Sequence, residues 1–294
     1  MQAVLQKIRL YTDLVKFEHT VFALPFALSS LLLASGSTWP PFATVVWVIF
    51  AMVGGRTYAM GLNRIIDVAI DGQNPRTQNR ALPAGRVRLL EAWLLTVFAL
   101  MLMVFAVLHL PPLCLYLLPV AWLILTAYSY IKRFSNMAHL VLGLALGSSA
   151  IGGWVALTGQ VILPALLFGL AVLFWVAGFD ILYACQDVDF DRKAGLYSIP
   201  ASWGIETGLR LSRMFHGGTV VALILVGCFI PTVGIFYWLG VVLACIMLFY
   251  EQSLVKAHDL TRLNEAFFNI NGIMSLGFLL CVFLDKLLHL RWSG

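Results

Sequence analysis

The sequence predicts an all-α polytopic membrane protein, a bundle of nine transmembrane helices with a cytoplasmic N-terminus. Of its 294 residues, 61% are hydrophobic and 11% are charged, whereas roughly a quarter of the residues in an ordinary soluble domain are charged. The apolar residues form long blocks, and basic residues gather between alternate blocks. Because lipid offers the backbone no hydrogen-bonding partner, each block that crosses the membrane is expected to be a helix.

The chain begins with a basic segment, residues 1–16, that is predicted to be an interfacial helix. Its apolar residues Val4, Ile8, Tyr11 and Val15 recur at helical spacing. A basic helix with one apolar side is typical of a segment that lies on the membrane surface. Charged residues precede the first apolar run and no small-residue cleavage site follows it cleanly, so no cleavable signal peptide is predicted.

Nine apolar runs approach the length of about 20 residues that a membrane-spanning helix needs. They lie near residues 17–35, 42–62, 89–110, 112–131, 138–158, 162–185, 213–231, 233–251 and 268–289. The glycine pairs Gly54-Gly55 and Gly152-Gly153 are predicted to permit close packing between helices. Residues 1–294 are expected to form a single membrane domain.

The distribution of Lys and Arg predicts the side that each loop faces. Basic residues occur in the N-terminal segment and in every second loop, whereas the intervening connections near 36–41, 109–112, 158–162 and 231–233 contain none. Loops rich in Lys and Arg face the cytoplasm, so the C-terminus is expected outside. The net charge of +5 follows from this topology first and from attraction for anionic lipid or an anionic substrate second. No nucleic-acid partner is expected.

Two predicted cytoplasmic segments, residues 63–88 and 180–204, share a pattern. Each follows an even-numbered span and contains two aspartates four residues apart, then basic residues, then Leu-Pro-Ala or Ile-Pro-Ala. Four spans separate the segments, so the two copies have the same orientation. They form a weak internal repeat.

The spacing of the aspartates predicts a magnesium-diphosphate site. Residues four apart share one face of a helix, so Asn63, Asp67 and Asp71 form one stripe, and Asp187 and Asp191 form another. Two facing acidic stripes need cations between them, and Mg²⁺ is commonly shared between one or two carboxylates and substrate phosphates. Basic residues that would bind the phosphates are Arg64, Arg76, Arg80, Lys132, Arg133, Arg192 and Lys193. The ligand is predicted to have an anionic head and a long apolar tail.

The segments NRIIDVAID, NRALPAG and YACQDVDFDRKAG resemble the paired aspartate motifs of the UbiA superfamily of membrane prenyltransferases. The resemblance extends over almost the whole chain and implies a Mg²⁺-dependent transfer of a prenyl chain from a polyprenyl diphosphate to an acceptor. By motif match, it implies that the metal is held by Asn63, Asp67, Asp71, Asp187 and Asp191, the four aspartates being catalytic. It also implies direct diphosphate contacts from Arg64, Arg80, Lys132 and Arg133.

Two further stretches, FEHTVFALPFA and DILYACQD, are similar to the 4-hydroxybenzoate polyprenyltransferase-like members of that superfamily. This similarity implies an aromatic acid of the 4-hydroxybenzoate type as the acceptor, in respiratory quinone biosynthesis. A dihydroxynaphthoate acceptor, for menaquinone, stays open as the second reading. The implied location is the inner (plasma) membrane, with the protein embedded in the lipid bilayer and the active site on the cytoplasmic side.

Arg56 lies within the second predicted span, where an Arg must meet an anion or reach water. One interpretation is a buried ion pair with Asp180, and the other is a site for the carboxylate of the aromatic acid. Tyr183 either orients the acceptor or is an interfacial aromatic residue. His19 and His139 are the histidines placed near a predicted cytoplasmic helix end, and the sequence assigns no base for the final proton.

Two other classes of protein share some of these features. A secondary transporter also has many helices, repeats and intramembrane charge, but its repeats are typically inverted and its site lies near the midplane. A lipid-phosphate hydrolase would also use Mg²⁺ but would need no apolar acceptor pocket. The parallel copies and the charges at one predicted mouth favour the transferase.

Overall fold

The computed structural model of the chain describes residue 7 and residues 10–16, 20–263 and 265–292. Within these residues the chain is helical and forms no β-strand. Eight of its helices are long and apolar enough to cross a membrane. They are α2 (Phe42–Ile66), α4 (Leu89–Val107), α5 (Pro112–Ile131), α6 (Ala138–Thr158), α7 (Leu163–Ala184), α10 (Ile205–Phe229), α11 (Ile235–Leu254) and α12 (Asn271–Trp292). The prediction of an all-α polytopic membrane fold is confirmed.

The first predicted span, residues 17–35, corresponds to a shorter helix, α1 (Thr20–Ala34), of 15 residues. Because a span needs about 20 residues, the count of nine spans stays a prediction. Residues 17–19 lie outside the described part of the chain. The cytoplasmic placement of the N-terminus also stays a prediction.

Short helices build the two aspartate segments. The first segment contains α3 (Val68–Gln73), and the second contains α8 (Val188–Ala194) and α9 (Ile199–Trp203). Gly204, with a φ of 88°, ends α9 in a backbone conformation that favours glycine. Helix α10 therefore begins at Ile205, eight residues before the predicted span at 213, because its first turns are polar and escape a search for apolar runs.

Helix α7 lies at the centre of the bundle. In its most apolar stretch 67% of the residues are buried, whereas the corresponding value for α5 is 6%. Trp175 of α7 packs against Phe26 of α1 with ring centroids 4.7 Å apart, and Phe26 stacks on Phe278 of α12 at 5.8 Å. Aromatic pairs at these distances add to the stability gained by burial. These contacts hold α7 in the centre of the bundle, and the second aspartate segment begins at the end of α7.

Glycines allow two of the closest helix contacts. A Cβ on Gly153 would lie 2.3 Å from the Ala27 carbonyl oxygen, and one on Gly54 would lie 2.7 Å from the Met103 nitrogen. Helices α1 and α6, and helices α2 and α4, approach this closely only without side chains. Gly152, the preceding residue in the sequence, makes no such close contact, since a Cβ on it would meet no atom within 4 Å.

Two adjacent residues of α12 tie together the end of the bundle opposite the aspartate segments. The Asp285 carboxylate accepts hydrogen bonds from the backbone N–H groups of Gly234 at 2.7 Å and Phe236 at 3.0 Å, at the start of α11. Lys286 Nζ donates to the Gly36 carbonyl and to Ser35 Oγ, both at 2.5 Å, just beyond α1. An acid at a helix N-terminus and a base at a C-terminus both complement the helix dipole.

The N-terminal segment is described only in part, and Val4 and Ile8 lie outside the described residues. Residues 10–14 are helical. Leu14 and Val15 are buried in a cluster with Leu82 and other apolar residues around the first aspartate segment. The apolar side of this segment is therefore covered by protein at Leu14 and Val15, where the sequence predicted contact with the membrane surface.

Candidate active site

A cavity of about 630 Å³ lies between the two aspartate segments and the adjoining ends of α2, α5, α6 and α7. Eleven of the predicted site residues line it: Arg56, Asn63, Arg64, Asp67, Asp71, Arg76, Arg80, Lys132, Tyr183, Asp187 and Asp191. Residues 89–179 separate the two segments in the sequence, and the fold brings the segments to one cavity.

The leading aspartate of each segment sits at a break between helices. Asp67 joins α2 to α3 with φ −92° and ψ 3°, and Asp187 joins the 3₁₀ turn after α7 to α8 with φ −102° and ψ 4°. This sparsely populated bridge conformation is common among active-site residues. The shared geometry extends the weak sequence repeat to the backbone.

Asp67 is buried and is held by three side chains. Asn63 Nδ2 donates to Oδ2 at 3.1 Å, Arg133 Nη2 donates to Oδ1 at 2.8 Å, and Lys132 Nζ forms an ion pair with Oδ2. A buried carboxylate needs such partners, since an unpaired charge in the interior is costly. Asn63 shares the face of Asp67, as the sequence predicted.

Asp71 is also buried and is bound by two arginines. Arg80 Nη1 donates to both carboxylate oxygens at 2.7 and 2.8 Å, and Arg64 Nη1 lies 3.7 Å from Oδ2. Arg64 Nε also donates to the Leu14 carbonyl at 3.3 Å. Arg64 therefore links the N-terminal segment to the cavity wall, in addition to the phosphate contact that the resemblance implies.

Asp187 receives a two-pronged contact from Arg76. The Nε–Oδ1 distance is 2.9 Å and the Nη2–Oδ2 distance is 2.5 Å, and Asn74 Nδ2 donates to Oδ1 at 3.2 Å. Burial lowers the pKa of the Arg76 guanidinium, but the hydrogen bonds to Asp187 and the nearby negative charges of Asp187 and Asp71 together outweigh it, so the pKa is raised from its ordinary value. Arg76 of the first aspartate segment and Asp187 of the second are thus in contact across the cavity.

Arg76 also contacts Tyr183. Its Nη1 donates to the Tyr183 hydroxyl at 3.3 Å, and its guanidinium carbon lies 5.4 Å from the ring centroid.

Asp191, the second aspartate of the second segment, accepts a hydrogen bond from Ser198 Oγ at 2.9 Å. Asn74 and Ser198 are not predicted by the sequence, because neither belongs to a spaced motif.

Three basic residues lie elsewhere than predicted. Arg133 is not among the residues that line the cavity, and besides Asp67 it donates to the Ser129 and Ile66 carbonyls at 2.7 and 3.1 Å. Arg133 therefore binds Asp67 from the side away from the cavity. Arg192 donates to the Ala201 carbonyl at 2.8 Å, and neither it nor Lys193 lines the cavity.

The donor set fits a magnesium ion that a substrate shares. Among the described residues no three His, Cys, Asp or Glu side chains converge closely enough to hold an ion by themselves. Mg²⁺ usually keeps several waters and binds through one or two carboxylates plus substrate phosphates. The oxygen donors on opposite cavity walls and the basic groups beside them suit that mode of binding.

Asp180 and Arg56 do not form the predicted ion pair. The Asp180 carboxylate accepts a hydrogen bond from His139 Nδ1 at 2.7 Å, while His139 Nε2 lies 3.3 Å from the Ile199 N–H and accepts from it. This places the neutral ring's proton on Nδ1. The buried Arg56 Nε has no hydrogen-bond partner among the described residues.

A second, apolar cavity of about 390 Å³ lies between α2, α4, α5 and α6. The two cavities share residues along one boundary: Arg56, Met60, Tyr128, Leu142 and Leu146. The polar cavity is thus contiguous with the apolar one, and Arg56 stands at the junction.

This geometry is that of a helical membrane protein in which a charged cavity adjoins an apolar one. The chain belongs to the UbiA prenyltransferase family, whose model matches residues 23–273. It is a multi-pass membrane prenyltransferase, and the transporter and hydrolase alternatives fall away.

Curated relatives cover nearly the whole chain. It is 28% identical over 281 residues to the 4-hydroxybenzoate octaprenyltransferase of Photobacterium profundum, covering 93% of this chain and 95% of the relative. It is 32% identical over 232 residues to the enzyme of the same name from Edwardsiella ictaluri, covering 75% and 77%.

Solved structures share the fold. A UbiA homologue from Aeropyrum pernix K1, in its apo form, is 33% identical with a TM-score of 0.81, covering 91% of this chain and 98% of that one. A UbiA homologue from Archaeoglobus fulgidus bound to GPP and Mg²⁺ is 20% identical with a TM-score of 0.76, covering 94% and 99%. At that identity the second likeness concerns the fold alone.

Proposed function

We propose that the enzyme transfers a polyprenyl group from a polyprenyl diphosphate to an aromatic acid of the 4-hydroxybenzoate type, in respiratory quinone biosynthesis. The observation that carries this proposal is the junction of the two cavities at Arg56. A charged cavity suits the diphosphate, and the apolar cavity suits the prenyl tail. The Arg56 guanidinium between them, whose Nε has no hydrogen-bond partner among the described residues, suits a carboxylate. The names of the curated relatives support the same acceptor.

The diphosphate would bind between the aspartate segments. Mg²⁺, held by Asn63, Asp67, Asp71, Asp187 and Asp191 together with the phosphates, would stabilise the negative charge on the departing diphosphate. Lys132, Arg76 and Arg80 line the same cavity and would move from the carboxylates towards the phosphate oxygens. Fixed positive charge at this position favours breakage of the allylic C–O bond, whose electron pair leaves with the diphosphate.

The prenyl tail would lie in the apolar cavity. Side chains such as Met52, Leu125 and Leu142 line it, and burial of each CH₂ group contributes about 0.8 kcal/mol. The same apolar walls would keep water from the allylic cation until the acceptor ring attacks.

The acceptor would bind with its carboxylate on Arg56 and its ring beside Asp180. An Arg offers two parallel N–H groups to a carboxylate. A ring carbon forms the new bond to the prenyl C1, and its proton would pass to the Asp180 carboxylate, which His139 Nδ1 orients. The products are the prenylated acid, diphosphate and a proton.

The side of the membrane follows from the basic loops. Both aspartate segments are rich in Lys and Arg, and such loops face the cytoplasm. We therefore place the active site at the cytoplasmic face of the inner membrane.

A product analysis tests the proposal. Purified enzyme in lipid vesicles receives a polyprenyl diphosphate with either 4-hydroxybenzoate or a dihydroxynaphthoate, with Mg²⁺ or with chelator. Mass spectrometry should detect the prenylated benzoate in the Mg²⁺ sample alone. Preferential prenylation of the naphthoate would overturn the acceptor assignment, and undiminished transfer in chelator would overturn the metal.

A further inference from the structure

A buried polar cluster lies outside the active-site cavity, where the π-helix Glu265–Ile270 meets the start of α12. Its centre is Asn271, which has no exposed surface, and it includes Trp175 of α7 and Glu251 of α11, which are also fully buried. Buried polar groups in a membrane protein are costly unless they are bonded. The π-helix itself is a rare element that is frequent at functional sites.

The side-chain amide of Asn271 joins three elements. Its Nδ2 donates to Glu251 Oε1 at 2.8 Å and to the Ala266 carbonyl at 3.2 Å, and its Oδ1 accepts from Trp175 Nε1 at 2.5 Å. Because an indole nitrogen can only donate and a carbonyl can only accept, these partners determine the orientation of the amide. Asn271 thus fixes the π-helix to α7 and α11 at Ala266.

Among the described side chains of the π-helix, that of Phe268 reaches the active site. Phe268, two residues after Ala266, lines the aspartate cavity. Its ring packs edge-on against the ring of Tyr183, with centroids 6.3 Å apart. Tyr183 in turn contacts Arg76, the residue that binds Asp187. A continuous set of contacts therefore runs from Asn271 to the predicted diphosphate site.

We propose that Asn271 is a positioning residue for prenyl transfer. By holding the π-helix, it sets Phe268 against Tyr183 and so keeps the Tyr183–Arg76 wall in place for the prenyl diphosphate. This role rests on the prenyl-transfer activity, and Asn271 itself does not line the cavity.

The test compares KM for the prenyl diphosphate among variants in lipid vesicles. Asn271→Asp removes both donated hydrogen bonds and sets a carboxyl group against Glu251. We expect KM to rise about tenfold while KM for the aromatic acid stays the same. In the double variant Asn271→Asp/Glu251→Gln, the new amide can donate to the new carboxylate, and KM should return towards the wild-type value. Asn271→Ser, which adds no charge, serves if Asn271→Asp fails to fold.

A double-mutant cycle separates positioning from general destabilisation. Phe268→Ala should raise KM for the prenyl diphosphate by itself, and adding Asn271→Asp to it should raise KM little further. Tyr237→Phe is the matched control, because it also removes a buried hydrogen bond, from the Tyr237 hydroxyl to the Leu223 carbonyl at 2.7 Å, but lies outside both cavities. It should lower thermal stability and leave KM unchanged.

The outcomes are distinct. Independent, multiplicative effects of Asn271→Asp and Phe268→Ala, or a folded Asn271 variant with wild-type KM, would overturn the positioning role. If the wild-type enzyme itself transfers no prenyl group to any aromatic acid, the proposed acceptor chemistry fails instead.

Discussion

Lys132 and Arg133 are neighbours in sequence, yet they bind Asp67 on different oxygens and from different directions. Lys132 lines the cavity, and Arg133 lies behind the carboxylate. The motif predicted that the four aspartates meet at one site, and all four line the cavity, while their role in binding metal stays a prediction. It did not distinguish the two bases, since the direction of a side chain at the end of a helix depends on packing between α2 and α5.

Replacing the leading aspartates tests the metal site. Asp67→Asn and Asp187→Asn keep the size of the side chain but remove the charge that attracts Mg²⁺, so transfer should fall by about two or more orders of magnitude, as for loss of other charge-stabilising groups. Asp189→Asn is the control, because Asp189 is exposed and outside the cavity. Turnover is measured with saturating substrates at several Mg²⁺ concentrations. Near-normal turnover of either active-site variant would exclude the proposed site.

Replacing Arg56 tests the acceptor site. Arg56→Met should fold, because no Asp180 partner is left unpaired, and its KM for 4-hydroxybenzoate should rise about tenfold or more, as expected for a lost charged hydrogen bond worth about 1.5–3 kcal/mol. Its KM for the prenyl diphosphate should stay the same. Wild-type kinetics for both substrates in a folded Arg56→Met enzyme would rule out the acceptor role, and rescue by Asp180→Leu would restore the structural interpretation.

At the scale of helices, the adjacent glycines Gly152 and Gly153 of α6 differ in the space around them. Both glycines were predicted to permit close packing, and Gly153 does so against Ala27. Both glycines border the apolar cavity, but only at Gly152 would an added Cβ meet no atom within 4 Å. The sequence could not separate them, because the facing helix is unknown until the bundle is assembled.

Filling the apolar cavity from Gly152 tests where the prenyl tail lies. Gly152→Phe places a ring in open space, so we expect it to leave transfer of a short prenyl group intact and to slow transfer of a long one about tenfold. Gly152→Ala should affect neither. Turnover with geranyl and octaprenyl diphosphates measures the effect. Equal loss for both chain lengths would place the tail elsewhere.

Lys286 of α12 binds the chain just after α1, and this contact joins the two helices. Lys286→Met removes the donor to the half-buried Gly36 carbonyl and Ser35 hydroxyl, so the enzyme should lose about 1.5–3 kcal/mol of stability, the typical contribution of a hydrogen bond from a charged group. Turnover per folded molecule should be unchanged. Thermal denaturation in detergent, with the exposed Lys256→Met as control, gives the comparison. An unchanged denaturation midpoint would show that water replaces the lysine.

For the whole molecule, the apolar runs predicted the bundle well, because span length and backbone hydrogen bonding leave a membrane chain few choices. The apolar runs did not predict which helices lie at the centre of the bundle and which lie at its periphery. The most apolar stretches of α5 and α7 have mean hydropathies of 1.7 and 2.2, yet α5 lies at the periphery and α7 at the centre. The contacts among Phe26, Trp175 and Phe278, which hold α7 in the bundle, form only once the helices pack together.

The topology is a further prediction at this scale. A reporter inserted near Gly195 should be found on the cytoplasmic side, and one fused at Gly294 on the outer side, since nine spans put the two positions on opposite faces. Enzymatic activity of compartment-specific reporters gives the assignment. Both reporters on one side would show that the number of spans between the two positions is even.

The ion pairs that line the cavity have a consequence for binding. In the described structure the Asp67, Asp71 and Asp187 carboxylates each already have a basic partner. If a magnesium diphosphate binds here as proposed, the carboxylates would exchange these partners for the metal, and the bases would exchange theirs for phosphate. The site would then exchange counter-ions instead of leaving charges unpaired, and joint entry of metal and substrate would be favoured over entry of either one alone, because an unpaired buried charge is costly.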